Sequence, residues 1–220
     1  MSATLDVLPD SETMKLKPSD IEKLEQFFDK IKSDTYPEPP SGLHTAITQR
    51  MIDEVFNQYA LPDGAAVLDI GCGQGVALEL FLQRNLKPVG ITLNPEDVAV
   101  CQDKGYEVYE MDQSFLDFPD ATFDFIWCRH CLEHSIFPYF TLSEMFRVMK
   151  PGAYLYIEVP APDTSCRHQD NQNHYSTLGK SAWRSLIQRT GFQILELRDI
   201  SFQVPAGPDT YWAMIQQKPV

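Results

Sequence analysis

The 220-residue chain carries 31 acidic and 18 basic side chains, a net charge of −13, with 43% hydrophobic and 22% charged residues. That balance suits one globular domain with its own core and excludes disordered, collagenous and disulfide-scaffold classes. The negative charge argues against nucleic acid or an anionic membrane surface as partner. No apolar run approaches the roughly 20 residues of a membrane span. The opening MSATLDVLPD has neither the basic flank nor the apolar stretch of a signal peptide. A cytoplasmic protein is expected, with reduced thiols at Cys72, Cys101, Cys128, Cys131 and Cys166.

In chain order, residues 1–17 are polar, lack an apolar period and read as a disordered tail. Behind Pro18-Ser19-Asp20, the positions Ile21, Leu24, Phe27, Phe28 and Ile31 recur at helical spacing and predict a helix over 20–32. A Pro- and Gly-rich stretch at 36–42 stops it. Ile47, Met51, Ile52, Val55 and Phe56 predict a second helix over about 44–60. Together these form an expected N-terminal helical cap, 18–62, ahead of a core at 63–220. Aromatic residues on the two helices would serve as a lid or a dimer contact.

From residue 65 strands and helices alternate. Strands are predicted at 65–70, 89–93, 106–111, 123–128, 154–159, 192–198 and 211–218, with helices at 76–84, 95–104, 138–149 and 179–190. Residues 160–176 are long, polar and irregular. The pattern predicts an α/β fold: a doubly wound, mostly parallel, seven-stranded Rossmann-like sheet.

The sharpest motif is Val67-Leu68-Asp69-Ile70-Gly71-Cys72-Gly73-Gln74-Gly75, between a predicted strand and a predicted helix. Glycines there permit a tight turn and close approach of a ligand. A dinucleotide fingerprint would need glycine at position 76, which is Val76, and a phosphate loop would need a Gly-Lys-Ser/Thr ending, which is absent. Asp69, two residues ahead of the glycines, can instead accept hydrogen bonds from a cationic ligand's amino group.

This stretch resembles the class I S-adenosylmethionine-dependent methyltransferases, and the resemblance spans about 65–217. Further landmarks come in the family's order: Asp112-Gln113, the loop Leu116 to Asp124, Leu132-Glu133-His134, and Arg147-Val148-Met149-Lys150-Pro151-Gly152-Ala153. The resemblance implies S-adenosyl-L-methionine as cofactor and S-adenosyl-L-homocysteine as product. It assigns Asp69, Gly71, Cys72, Gly73, Gly75 and Cys128 to cofactor binding, and Asp112 and Gln113 to the adenine. The ribose position departs from the family's usual acid: Gly90-Ile91-Thr92-Leu93-Asn94 leaves Thr92, Leu93 and Asn94 to make that contact. Cyclopropane-forming branches carry a similar string.

Methyl transfer needs an aligned nucleophile and, for oxygen or nitrogen acceptors, often a base. His130, after the fourth strand, is the first candidate base; its alternative role is to cap the next helix. His134 is either an acceptor contact or the residue that orders the turn. Cys128 and Cys131 also have the spacing of a redox pair or, with His134, of part of a metal site, but no fourth ligand is evident and no metal is expected. In the polar loop, His174 is a second catalytic candidate, with Tyr175, His168 and Asn173 as acceptor contacts; the alternative is a solvated loop.

The expected function is methylation of an oxygen or nitrogen on a polar small molecule: a sugar, a nucleotide-sugar or a natural-product intermediate. Alternatives are a catalytically silent methyltransferase-fold protein, a carbon methyltransferase and a nicotinamide oxidoreductase. The protein would be a monomer or homodimer. All of the net charge lies in residues 1–120, and the neutral remainder carries Arg167, Lys180, Arg184 and Arg189 near the polar loop, so a small anionic acceptor is also admitted.

Overall fold

A computed structural model describes residues 15–220 apart from Tyr36 and Glu38. Most of the expected N-terminal tail lies outside the described residues; 15–17 are exposed and non-helical. The chain forms two compact units, the first ending at Asp34. In that unit Pro18 opens α1 (Pro18–Ser33), and the Asp20 carboxylate accepts a hydrogen bond from the Lys17 amide at 3.2 Å. Proline suits this position because the first helical N–H has no partner in the helix.

The second unit, Thr35–Val220, holds everything else. It begins with α2 (Gly42–Gln58), whose N-terminus is capped by the Ser41 hydroxyl accepting from the His44 amide. A division at 62/63 would set this helix apart from the sheet. Instead its apolar stripe, Met51, Ile52 and Val55, is buried among strand residues, so α2 belongs to the sheet's own unit.

The seven strands are β1 (Ala66–Ile70), β2 (Lys87–Thr92), β3 (Val108–Glu110), β4 (Phe123–Arg129), β5 (Met149–Pro160), β6 (Gln193–Val204) and β7 (Gly207–Gln217), in the order β3-β2-β1-β4-β5-β7-β6. The first five run parallel, and β7 runs antiparallel to both β5 and β6. Helices α3 (Val76–Leu82), α4 (Pro95–Asp103), α5 (Pro138–Val148) and α6 (Lys180–Thr190) supply the crossovers. The doubly wound seven-stranded sheet is thus as expected. The last two strands are longer than predicted and meet in a hairpin at Pro205-Ala206.

Side chains alternate across a strand, and here the alternation sorts the core into two layers. Leu68, Ile70, Ile126, Cys128, Leu155 and Ile157 face α5 and α6, packing on Leu142, Met145, Trp183 and Ile187. Val67, Phe125, Trp127, Tyr156 and Ala213 face α2 and α3. The strand order reverses at β1, between β2 and β4, and ligands in such sheets bind in the crevice at that point, beyond the carboxyl ends of the strands.

Candidate functional site

The glycine loop leaves β1 at this crevice. Gly71, Gly73 and Gly75 all have positive φ, a region that costs other residues roughly 1–2 kcal/mol. At Gly71 a Cβ would also lie 2.7 Å from the Cys131 sulfur, so backbone and space both demand glycine there. A cleft of about 330 Å³ opens beside the loop, lined by Asp69, Gly71, Cys72, Gly73 and Gln74 on one side. Trp127, Arg129 and His130 also line it, as do Pro37, Pro39, Pro40, Ser41, His44 and Thr48.

Asp69 is 2% exposed, and its Oδ2 has no hydrogen-bond partner. Burial pushes its carboxyl up to about 8. A buried, orphaned acceptor is costly unless a ligand supplies the donor, and an ammonium group in the cleft would do so. The loop's close-approach geometry and this acceptor fit the amino-acid end of S-adenosylmethionine. Further along the carboxyl edge, Gln113 donates from Nε2 to the Cys131 carbonyl at 2.9 Å, while its Oε1 is buried without a partner. Asp112 accepts from the Ser114 amide at 2.7 Å, and burial raises its pKa. Both remain able to meet a heterocycle's donors.

The structure limits what two of the expected cofactor residues can offer through their side chains. Cys128 is fully buried in the core layer facing α5 and α6, so its thiol does not reach the cleft. Asn94 spends its side-chain oxygen capping α4, accepting from the Glu96 and Asp97 amides at 3.0 and 3.2 Å. Only its Nδ2, and the Thr92 hydroxyl beside it, remain for a ribose. Leu93, half-buried between them, has only its backbone to offer a polar ligand.

The acceptor side is built on the strand alternation. Arg129 and Glu158 are paired in register on adjacent parallel strands and share the α2 face with Trp127 and Tyr156. The Arg129 Nε lies 2.9 Å from Glu158 Oε1, and its Nη1 donates to His44 Nε2 at 2.9 Å and to the Thr48 hydroxyl at 3.2 Å. His130 ends β4 with φ +52, a left-handed turn that carries its ring back over β5. There its Nε2 lies 2.6 Å from Glu158 Oε1, and the ring stacks on Tyr211 at 4.2 Å. The Tyr156 hydroxyl donates to Glu158 Oε2 at 2.5 Å.

Burial alone would push the Glu158 carboxyl up; His130 and Arg129 outweigh it and hold the pKa at about 2. Burial and the adjacent Arg129 lower His130 and bring His44 down to about 4. His44 is therefore the neutral ring that can accept from Arg129. Arg129, Glu158, His44 and Tyr211 were not singled out from the sequence. The legible signal was a charge at the end of an apolar strand run, in Phe123 to Arg129 and in Tyr154 to Glu158.

The polar loop after β5 closes over the same edge. His168 Nε2 lies 3.0 Å from Asp209, and His174 Nδ1 donates to the His168 carbonyl at 2.9 Å. His134 Nδ1 donates to the Asn173 carbonyl at 2.8 Å. Ring contacts link His44, His130, Tyr211, His168, His174 and His134 in series, so all five histidines of the chain lie along one edge. Tyr175 is 37% exposed at the loop's surface. Arg167 pairs with Asp170 and Lys180 with Asp199, which leaves these two cations less able to hold an anionic acceptor.

Comparison with known proteins accords with this geometry. A family model described as a methyltransferase domain matches residues 44–197. The 27-O-demethylrifamycin SV methyltransferase of Amycolatopsis mediterranei is 30% identical over 128 residues, covering 52% of this chain and 47% of that protein. The chain thus spans about half the length of that relative. An O-methyltransferase of Pyrenophora dematioidea is 28% identical over 74% of this chain and 67% of its own. Phosphoethanolamine N-methyltransferase 2 of Haemonchus contortus, solved with S-adenosyl-L-methionine, superposes with a TM-score of 0.69 at 14% identity, covering 93% of this chain and 59% of that one. With its glycine loop at the switch point of a seven-stranded sheet and a family match over most of its length, the chain belongs to the class I S-adenosylmethionine-dependent methyltransferases.

Proposed function

We propose that the protein transfers the methyl group of S-adenosylmethionine to an oxygen or nitrogen of a polar small molecule, with His130 as the base. The observation that carries this reading is His130, which lines the cleft beside Asp69 and is paired with the buried Glu158. Glu158 accepts from Nε2 and leaves Nδ1 as the basic atom, and the lowered pKa keeps the ring neutral and able to take a proton.

The cofactor supplies a methyl group on a sulfonium. Asp69 and the loop Gly71 to Gly75 hold its amino-acid end in this reading, Thr92 and the Asn94 amide its ribose, and Asp112 and Gln113 its adenine. His134, His168, His174, Asn173 and Tyr175 contact the acceptor. The density of imidazoles and amides at that edge supports an acceptor rich in hydroxyl or carbonyl oxygens, such as a sugar or a natural-product intermediate.

Incubating the full chain with methyl-labelled S-adenosylmethionine and a panel of hydroxylated metabolites, read by mass spectrometry, tests the activity. A labelled O- or N-methyl product is expected, and His130→Gln should lower turnover by roughly 10²–10⁴-fold while leaving cofactor affinity near that of the native protein. Cofactor binding without product from any acceptor would overturn the catalytic reading. Full turnover in His130→Gln would remove the base from it.

A further inference from the structure

We propose that Glu133, His134 and His174 form a binding site for a divalent transition-metal ion of the zinc type. One ligand atom from each of the three lies within 4.8 Å of the others, with Glu133 buried and both histidines half-buried. Zinc–nitrogen and zinc–oxygen bonds of about 2.0–2.2 Å place neighbouring ligands somewhat closer than that, a gap closed by small rotations about side-chain bonds.

The surroundings have the form that metal-bound histidines require. Such a ring donates its distal N–H to a carbonyl or carboxylate, which fixes its tautomer and aims the other nitrogen's lone pair at the ion. Both rings do this here: His134 Nδ1 donates to the Asn173 carbonyl and His174 Nδ1 to the His168 carbonyl. In each the remaining nitrogen is Nε2.

The backbone that carries the cluster is tied on both sides. Glu133 and His134 sit on a 3-10 turn, Leu132–His134, and the loop bearing His174 is bound to it. The Ser176 amide donates to the Glu133 carbonyl at 2.9 Å, and the Ser176 hydroxyl to the Ser135 carbonyl at 2.6 Å.

A second cluster, Cys166, His168 and Asp209, is less suited. His168 Nε2 already lies against both Asp209 oxygens, at 3.0 and 3.1 Å, so these donors are spent on each other. Two histidines and one carboxylate leave a coordination position open, as catalytic rather than structural zinc sites do. At this edge that position faces the acceptor side, and an acceptor hydroxyl, carboxylate or carbonyl oxygen would fill it. This last step rests on the methyl-transfer reading; the metal site does not.

The test is binding, read without turnover. Chelator-stripped full-length protein is titrated with zinc chloride by calorimetry, and with cobalt(II) by visible absorption. One equivalent of zinc should bind, and cobalt should give the intense visible bands of a low-coordinate site. His134→Ala and His174→Gln should each weaken zinc by more than the roughly 10–100-fold that loss of an outer-shell partner costs, and remove the cobalt bands. Circular dichroism identifies any variant that has lost its fold, and Glu133→Gln provides a third. Cys166→Ala should bind as the native protein does. No stoichiometric binding, or binding that survives the His134 and His174 changes, or binding lost in Cys166→Ala, would overturn the assignment. Failure to methylate any acceptor would leave these readouts unmoved.

Discussion

The two faces of the sheet differ by one residue of strand register. On the face toward α5 and α6, the strands stay apolar to their carboxyl ends: Ile70, Cys128, Ile157 and Val159 are all fully buried. On the face toward α2, the same strands end in Asp69, Arg129 and Glu158, each at most 7% exposed. Tyr211 follows two residues before Ala213 on β7. One face maximises burial. The other gives up apolar contact in its last layer to place charge where ligands enter, and it can do so only because Arg129, Glu158, His44 and His130 satisfy one another.

The largest break in this comparison should come from Glu158→Gln. It leaves the Arg129 guanidinium buried without its counter-charge, a loss of about 3–5 kcal/mol of stability, measurable by urea unfolding. The pH dependence checks the cause. A carboxylate held at about 2 in the fold stabilises it fully above the ordinary value of 4.5, and that stability is lost as pH falls through the folded value. Native protein should therefore lose stability between these pH values, and Glu158→Gln should lack that component.

Gly71→Ala comes next. Positive φ and the Cys131 sulfur together should cost about 2–4 kcal/mol and displace the loop, abolishing cofactor binding by calorimetry.

Asp69→Asn should act in opposite directions on fold and ligand. With a folded pKa near 8 against an ordinary 3.8, the carboxyl's contribution is greatest below 3.8 and declines as pH rises toward 8. The asparagine variant should match the native protein at low pH and exceed it in stability at pH 8. It should bind S-adenosylmethionine about 10–100-fold more weakly, the scale of one charge-assisted hydrogen bond.

The smallest effect belongs to the apolar face. Ile157→Val should cost only about 0.5–1.5 kcal/mol and leave cofactor affinity unchanged. A loss of affinity there would mean that the two faces are not separable.

The glycine loop and the strand–helix alternation were legible because each is a local pattern. The α5/α6 layer could be read from unbroken apolar runs. What escaped was long-range or polar. His44 meets Arg129 across 85 positions of sequence, and no local period encodes that. The outer half of β6 alternates exposed and half-buried residues, so the outer hairpin that carries Asp209, beyond the predicted strands at 192–198 and 211–218, was hidden. Cys128 was assigned by resemblance alone, and the strand parity that turns its thiol into the α5/α6 layer is set by the sheet register. Asn94 was read for its chemistry alone, when its place before Pro95 already marked it as a helix cap.

The clustering of all five histidines has a practical consequence. None lies elsewhere in the chain, so its imidazole NMR resonances form a spectrum of this edge alone. Selective isotope labelling of histidine would therefore turn the whole protein into a reporter of its own site. Five signals, ordered by the ring contacts from His44 through Tyr211 to His134, would show how far along the edge each bound molecule reaches.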